Sequence, residues 1–430
     1  MGPQRTRKLL AAMLSLAVLA TACGSGTDDT TEDPEPAEVD SGDEGDDGDD
    51  GAEVDEGDEG DEAAGSDDLL ANLPAELAGL YEGALTPIAA SAYDEFEAVD
   101  GPWSVCFADS FQGNPWRVTV NNELERLAEE FEAAGLVADF KVSVADGDVA
   151  QQTSQIRAFI DQGCDLILSI PASATGLDEA VRAAYDAGIP FVSFAGSVAS
   201  PYAINVDSNW ALWGADMAAA IVERQPGGNV LMVKGIEGQP VAVAQNEAAG
   251  PVFSEGGANV VGEVQGDWTP ATTKQSVLEA LSTNPAPIDA VWTTGSELRL
   301  VAEAFEQAGQ DVPLITASAS GDALAYLQES GTEYYGGAVL PTWTAQTAFR
   351  VGVRLLQGQH PKLNTLMVPI PVATSDDLDL WVRPCMSVDA GDIFPVAPTD
   401  PLPEDLMDQY FDNGAPTPPF DYANTPDPCA

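Results

Sequence analysis

Short runs of β-branched and other apolar residues alternate with amphipathic stretches from Trp103 to Ala373. The runs predict strands at Ser104 to Ala108, Asp139 to Val144, Asp165 to Ile170, Pro190 to Phe194, Asn229 to Val233, Val260 to Val264, Ala290 to Thr293, Pro313 to Ile315 and Gly336 to Val339. The amphipathic stretches predict helices at Thr119 to Ala134, Gln151 to Gln162, Gly176 to Ala187, Leu212 to Arg224, Thr272 to Ser282 and Leu298 to Ala308. Strands and helices that alternate at this spacing indicate parallel sheets covered by helices on both faces.

A helix-stop signal recurs in the two halves of this region. The sequences DAGIP, Asp186 to Pro190, and EQAGQDVP, Glu306 to Pro313, place glycine after a helix and proline before or inside the next strand. The region is also longer than one hydrophobic core usually organises. We therefore predict an α/β fold with two doubly wound, Rossmann-like parallel-sheet lobes. Ligands of such sheets bind at the carboxyl ends of the strands, so two facing lobes would form a cleft there.

The N-terminus has the pattern of an export signal. A basic segment, Arg5 to Lys8, precedes the apolar run Leu9 to Leu19 and the sequence ATAC, which ends at Cys23. The apolar run is too short for a membrane-spanning helix. The site resembles a bacterial lipobox, although Ala20 stands where that motif prefers leucine. This resemblance implies cleavage after residue 22, a lipid anchor on Cys23 and a location outside the cytoplasm, on the cell membrane. The alternative is an incidental Cys23 in a secreted protein.

The segment that follows is strongly acidic. Residues 28–68 carry 22 of the 71 acidic residues and no basic residue, with few large apolar side chains. Such a segment cannot bury enough surface to fold, so we predict that residues 23–68 are a disordered tether. A calcium-binding role is weaker because the acids lack the ligand spacing of an EF-hand. Outside the tether and the signal, 49 acidic residues face 13 basic ones, which disfavours binding to nucleic acid or to an anionic membrane.

Four cysteines remain after Cys23 is assigned to lipid. An even number in an oxidising compartment favours disulfides, and we predict the pairs Cys106 with Cys164 and Cys385 with Cys429. Free buried thiols are the alternative for the first pair. The second pair would hold a Pro-rich C-terminal tail, residues 391–430.

Catalytic motifs are absent from the sequence. The chain has one histidine, His360, next to Pro361, and no HExxH, G-x-S-x-G, P-loop or Rossmann glycine motif. Acidic residues are abundant, which leaves a glycosidase possible, although no pair of carboxylates stands out. We therefore predict that the protein is not an enzyme and uses neither a cofactor nor a metal.

Tryptophans with polar neighbours follow three of the predicted strands. They lie in DSFQGNPWR, Asp109 to Arg117, in GDWT, Gly266 to Thr269, and in LPTWTAQ, Leu340 to Gln346. One such tryptophan alone is more typical of a core, whereas three at strand ends favour a ligand site. Indole rings suit the apolar C–H face of a sugar, and neighbouring polar groups suit its hydroxyls.

These segments resemble periplasmic binding proteins of the ribose-binding type, the substrate-binding subunits of sugar ABC transporters. The resemblance extends over about 270 residues, Trp103 to Ala373, and rests on GNPWR, DGDVAQQTSQIRAFIDQGCDLILSIPAS, AYDAGIPFVSF, GIEG, GDWT and IDAVWTTGSELRLVAEAFEQAG. It implies ligand contacts from both lobes and an aromatic residue, Trp268, that stacks on the sugar. The candidate ligand-binding residues are Asn114, Trp116, Arg117, Phe194, Asn209, Asp267, Trp268, Glu297 and Trp343.

The sequence departs from the ribose binders where they grip hydroxyl groups. Ala195 and Gly196 replace an Asp-Arg pair, and an expected arginine is missing around Gln245. An asparagine near Gly295 and an aspartate near Ser318 are missing too. Buried hydroxyls left unpaired cost about 1–3 kcal/mol each, so these departures argue against ribose itself.

The resemblance implies a monomer that closes its lobes around a sugar or polyol by bending three crossovers. We expect the crossovers at residues 206–209, 339–341 and 357–362. The partners it implies are ABC permease subunits, with a separate ATPase; the alternative is a sensor subunit for a chemoreceptor or histidine kinase. The predicted domains are residues 69–100 as a helical extension, 101–208 with 341–360 as lobe 1, and 209–340 with 361–390 as lobe 2. The extension packs on lobe 1 in this interpretation; a helix that docks a partner is the alternative.

Overall fold

A computed structural model describes residues 66–430 except residues 87, 332–333, 413 and 415–419. The export signal, Cys23 and the acidic tether up to residue 65 lie outside the described residues. The last residues of the predicted tether are described, and they lie in a short helix, Ser66–Leu70.

The strands form two six-stranded sheets in the described part of the chain. They are β1 Trp103–Asp109, β2 Val137–Val144, β3 Leu166–Ile170, β4 Phe191–Phe194, β5 Ile204–Asp207, β6 Asn229–Lys234, β7 Asn259–Gln265, β8 Ala290–Thr293, β9 Leu314–Ser318, β10 Tyr335–Gly337, β11 Thr365–Met367 and β12 Val372–Thr374. The orders are β11-β5-β4-β3-β1-β2 in lobe 1 and β12-β10-β9-β8-β6-β7 in lobe 2. Neighbouring strands are parallel except β12, which runs antiparallel to β10. The central strands β3, β4 and β8 are buried on both faces, as parallel sheets require, and the predicted fold class is confirmed.

Helices cover the sheets. They are α1 Ser66–Leu70, α2 Ala75–Ala78, α3 Pro115–Ala133, α4 Val149–Asp161, α5 Asp178–Asp186, α6 Trp210–Arg224, α7 Pro240–Glu255, α8 Pro270–Thr283, α9 Leu298–Gln307, α10 Gly321–Ser330, α11 Pro341–Leu356, α12 Leu378–Trp381 and α13 Glu404–Met407. Gly188 and Gly309, the glycines of the two predicted stop signals, adopt positive φ angles of 74° and 68° directly after α5 and α9. Among the described residues, no helix is long and apolar enough to cross a membrane.

The described chain passes between the lobes at three places. It crosses from β5 to α6 near residues 207–210, from β10 to α11 near residues 338–341, and from β11 to β12 through residues 368–371. The crossovers lie side by side, since the Val368 N–H bonds the Asp207 carbonyl at 2.8 Å and the Ala338 N–H bonds the Pro371 carbonyl at 2.7 Å. The expected third crossover at 357–362 is wrong, and so is the lobe boundary after residue 360. After α11 the chain first adds β11 to lobe 1, where it pairs with β5.

The N-terminal extension covers the β11 edge of lobe 1. Leu77, Tyr81 and Tyr93 are buried in the same core as Leu366. The Ala89 N–H bonds the Asn364 Oδ1 at 2.8 Å, and the backbones of Ala90 and Leu363 form an antiparallel bridge. An exposed edge strand invites pairing with other chains, and this extension covers it. In the structure, the described part of residues 69–100 therefore packs on lobe 1.

Replacing Tyr81 with phenylalanine is expected to lower the free energy of unfolding by about 1–3 kcal/mol. The Tyr81 hydroxyl donates to the Thr365 carbonyl at 2.6 Å and accepts the Met367 N–H at 3.2 Å, and both bonds are buried. The Tyr81→Phe variant removes these two bonds without changing the shape of the ring. Urea denaturation measures the effect, and an unchanged midpoint would mean that the extension does not stabilise lobe 1.

The C-terminal segment, residues 385–430, contacts both lobes. The Gly321 N–H of lobe 2 bonds the Ile393 carbonyl at 2.7 Å, and the Trp343 Nε1 of lobe 1 donates to Asp400 at 2.9 Å. The structure contains the disulfides Cys106–Cys164, next to the paired strands β1 and β3, and Cys385–Cys429, which joins the two ends of the C-terminal segment.

Candidate functional site

A cavity of about 90 Å³ lies between the lobes, and we call it the cleft cavity. Since about 10–15 Å³ holds one water molecule on this measure, it suits a ligand the size of several waters. Its lining residues are Asn114, Trp116, Arg117, Ala195, Trp210, Trp213, Gln239, Val241, Gln245, Trp268, Thr294, Gly295, Ser296, Glu297, Ser318 and Val339. Most of them follow the carboxyl ends of β1, β4 and β5 in lobe 1 and of β6 to β10 in lobe 2. The cavity therefore lies where doubly wound sheets bind ligands.

The start of α3 supplies the lobe 1 wall. The Asn114 side chain caps the helix by accepting the Arg117 N–H at 2.9 Å, and Pro115 occupies the first helical turn. This cap fixes Trp116, whose Nε1 donates to the Val339 carbonyl at 3.0 Å. Arg117 is buried and forms an ion pair with Asp109 at the end of β1. Its charge is thus already paired within lobe 1.

Trp268 forms the facing wall in lobe 2. Its backbone is left-handed, with a φ of 47°, and so is that of Asp267, with a φ of 53°. A non-glycine residue in this region costs free energy and is found mainly at functional sites. The indole lies against two glycines, because a Cβ on Gly235 would come within 2.3 Å of the ring and one on Gly295 within 2.5 Å. Both glycines leave the space that this ring orientation needs.

Polar groups from both lobes complete the cavity. The Gln239 Nε2 of lobe 2 donates to the Ala195 carbonyl of lobe 1 at 3.4 Å, which joins the two walls directly. The Thr294 hydroxyl donates to the Gln245 Oε1 at 2.7 Å. Trp213 also lines the cavity, and its buried Nε1 has no hydrogen-bond partner in the described residues.

Glu297 is the buried charge of the lobe 2 wall. Only 4% of the residue is exposed, and its Oε2 has no hydrogen-bond partner among the described residues. Burial raises the pKa of this carboxyl to about 7, since the charged form is poorly solvated. The negative charge of Asp322 adds to the rise, while a hydrogen bond from Thr293 opposes it. In the ligand-free protein, Glu297 is therefore an acid whose ionised form a positively charged partner would stabilise.

In the ligand-free protein, the Glu297→Gln variant is expected to gain about 2–3 kcal/mol more stability over the wild type at pH 8 than at pH 5. The folded-state pKa of Glu297, about 7, lies above the unfolded value, so the wild type begins to lose stability as the pH rises above the unfolded value and has lost most of this contribution at pH 7. Burial also raises the pKa of Asp207, to about 6, but this effect is common to both proteins. Urea denaturation of both proteins at pH 5 and pH 8 measures their free energies of unfolding. If the variant differed from the wild type by the same amount at both pH values, a buried, unpaired Glu297 would be contradicted.

The structure brings five of the predicted ligand-binding residues to the cleft cavity: Asn114, Trp116, Arg117, Trp268 and Glu297. They come from both lobes, as the sequence analysis expected of a cleft between them.

The other four predicted residues lie outside the lining of the cleft cavity, and their part in ligand binding stays a prediction. Phe194 is buried in lobe 1, stacked on Phe107 with ring centroids 5.7 Å apart, and the next residue, Ala195, lines the cavity instead. The Asn209 side chain caps α6 and donates to two carbonyls of the N-terminal extension. Asp267 does not line the cavity, although it precedes Trp268. Trp343 is buried in lobe 1, where its indole is held by Asp400.

Sequence reasoning missed Trp210 and Trp213, which line the cavity from α6. Their signal was weak because they follow β5, a four-residue strand that the hydrophobic pattern did not reveal. In contrast, the positions marked as departures from the ribose binders do line it: Ala195, Gln245, Gly295 and Ser318. These positions face the site, and their side chains are uncharged. Within the described residues, no group of three or more histidine, cysteine or acidic side chains could hold a metal ion.

Comparisons with known proteins agree with this architecture. A family model described as "periplasmic binding protein domain" matches residues 105–360, a range that contains every residue of the cavity lining. A ribose import binding protein of Bacillus subtilis is 26% identical over 219 residues, which are 50% of this chain and 70% of the relative. A xylitol-binding protein of Mycolicibacterium smegmatis is 25% identical over 247 residues, 56% of this chain and 69% of the relative. The crystal structure of an ABC transporter solute binding protein from Thermobispora bispora superimposes with a TM-score of 0.65 at 26% identity, covering 72% of this chain and 94% of that one.

Proposed function

The chain belongs to the periplasmic binding protein domain family, and from this premise we propose that it captures a sugar or sugar-like polyol for an ABC importer. The family works outside the cytoplasm, and the relatives are binding proteins of transport systems rather than enzymes. Ribose and xylitol, the ligands named for two relatives, are small polyhydroxylated molecules. A ligand of this class would suit the cleft cavity in both size and polarity.

One observation carries this proposal: Trp116 of lobe 1 and Trp268 of lobe 2 line the same cavity. Indole faces contact the apolar C–H faces of a sugar, while Gln239, Thr294 and Ser318 offer polar groups for its hydroxyls. A ligand held by both walls gains contacts that only the closed arrangement of the lobes supplies. Binding would therefore shift the protein toward the closed state through the three adjacent crossovers.

Delivery to the membrane follows from the same proposal. The closed lobes would dock on a membrane permease, and a separate ATPase would supply the energy. Cys23, lipidated after signal cleavage, would hold the protein at the cell membrane, and the acidic tether would separate the anchor from the lobes. Metabolic labelling with a palmitate analogue tests the anchor, because a Cys23→Ala variant should not incorporate the label.

A thermal-shift screen of the full chain tests the binding function. The panel consists of pentoses, hexoses, sugar alcohols, inositols, nucleosides and amino sugars. A ligand at 100 times its dissociation constant stabilises the protein by about 2.7 kcal/mol, which gives a readable rise in melting temperature. A hit among the sugars or polyols supports the proposal. If no compound of the panel raises the melting temperature, the proposal is contradicted.

A further inference from the structure

The carboxylate of Glu297 lies next to the Trp268 indole in the cleft cavity. Both groups crowd Gly295: a Cβ on this glycine would lie 2.1 Å from the Glu297 Oε2 and 2.5 Å from the Trp268 Cδ1. The Glu297 Oε2 is buried and lacks a hydrogen-bond partner among the described residues, although Glu297 lines the cavity. Leaving a buried acceptor unpaired is destabilising, and more so when the group is charged. The Glu297 Oε2 therefore lacks a hydrogen-bond donor, and a ligand in the cavity can supply one.

The charges around Glu297 do not provide that donor. Within the described residues no ion pair holds its carboxylate, and the charge that acts on it is that of another acid, Asp322. Arg117, the cation of the opposite wall, already pairs with Asp109. Arg299 of α9 pairs with two glutamates of its own helix, Glu303 and Glu306. The cleft cavity therefore carries an uncompensated acid.

Tryptophans surround the rest of the space. Trp116, Trp210, Trp213 and Trp268 line the cavity, and the rings of Trp210 and Trp213 lie 5.7 Å apart. Among the aromatic side chains, the indole face attracts a cation most strongly, and the attraction grows when the pair is desolvated. A neutral sugar can stack on such rings and donate a hydroxyl to a carboxylate, but it leaves the buried negative charge uncompensated, whereas an ammonium group donates and also neutralises it. The combination of indole faces and one unpaired acid favours a ligand with a positive charge.

We propose that the ligand is an aminated sugar or polyol whose protonated amino group binds the Glu297 carboxylate beside Trp268. This inference rests on the proposed function and narrows its ligand class. The ammonium group donates to Oε2 and neutralises the carboxylate, while the hydroxylated remainder contacts the walls formed by Trp116 and Gln239. The charged hydrogen-bonding residues of the ribose binders are replaced around the cavity, and Glu297 supplies the charge that selects the ligand.

Isothermal titration of the full chain with matched pairs of compounds tests this inference. The pairs are D-glucose with D-glucosamine, D-galactose with D-galactosamine, and D-glucitol with D-glucamine, all at pH 7. We expect the aminated member of at least one pair to bind tenfold or more tighter than its neutral counterpart. The Glu297→Gln variant, which keeps the shape and removes the charge, should lose this preference, while Glu297→Asp should retain part of it.

The outcomes separate this inference from the proposed function. If a neutral sugar or polyol binds as tightly as its aminated counterpart, the inference is wrong and the proposed function stands. The inference is also wrong if Glu297→Gln keeps the tenfold preference. If none of the six compounds binds, the inference is wrong, and the thermal-shift panel decides the proposed function. The comparison of aminated with neutral compounds on the wild-type protein tests the inference even if the variants fold poorly.

Discussion

Replacing Trp268 with alanine is expected to weaken ligand binding about 100-fold, which corresponds to ~3 kcal/mol. Tryptophans in desolvated pockets carry a large share of binding energy. Gly235 and Gly295 leave the space that the Trp268 ring occupies, so the ring already lies at the cavity in the ligand-free protein. The variant would lose the contact surface of the lobe 2 wall while leaving the backbone contacts of lobe 1 intact. Isothermal titration with the compound found in the thermal-shift screen measures the change.

Trp343→Phe is the matched control for this variant. It also removes an indole, but Trp343 is buried in lobe 1 outside the cleft cavity, where its Nε1 donates to Asp400. Its affinity should equal that of the wild type, while its melting temperature falls. If Trp268→Ala binds as tightly as Trp343→Phe, stacking on Trp268 plays no part in binding.

Replacing Arg354 with alanine is expected to lower the free energy of unfolding by about 3–5 kcal/mol, the usual cost of removing one partner of a buried ion pair. Arg354 is fully buried in α11, and its Nη2 donates to Glu404 and Asp408 at 2.5 Å each. Its guanidinium also lies 4.8 Å from the centre of the Phe411 ring. Arg354 therefore holds the C-terminal segment on lobe 1 together with Arg350, which also pairs with Glu404 at 3.0 Å, and the loss of Arg354 leaves Asp408 without its cationic partner.

Arg157→Ala is the control for that loss. Arg157 pairs with Glu179 at 3.1 Å, but both side chains are more than half exposed, and such pairs contribute less than about 1 kcal/mol. Urea denaturation of the two variants under the same conditions gives the comparison. Equal losses would show that the buried network around Arg354 does not attach the C-terminal segment.

The hydrophobic pattern predicted several of the longer elements, although not all of them. The strands β1, β3 and β8 and the helices α4 and α9 follow from apolar runs and amphipathic stretches, and the glycines after α5 and α9 mark real helix ends. The pattern failed at β11 and β12, because three-residue strands carry almost no periodic signal. This failure displaced the third crossover. The helix α7 was also absent from the prediction, since it contains Pro251 and its apolar residues are spread around its circumference.

The cleft cavity was predictable in part. Trp116 and Trp268 were found because they follow clear strands and have polar neighbours. Phe194 looked equivalent, but its side chain is buried inside lobe 1, where it stacks on Phe107. Trp343 follows a strand too, and its contact with Asp400 depends on a tertiary fold of the C-terminal segment that no local pattern encodes.

The measurement that tests the central claim most directly is the affinity of a Trp116→Ala variant for the ligand identified by thermal shift. Capture between two lobes requires that both walls contact the same molecule, and Trp116 belongs to lobe 1 whereas Trp268 belongs to lobe 2. We predict a loss of tenfold or more in isothermal titration for Trp116→Ala, with one binding site per chain. Wild-type affinity in this variant would contradict capture in the cleft cavity, because the ligand would then be bound without the lobe 1 wall.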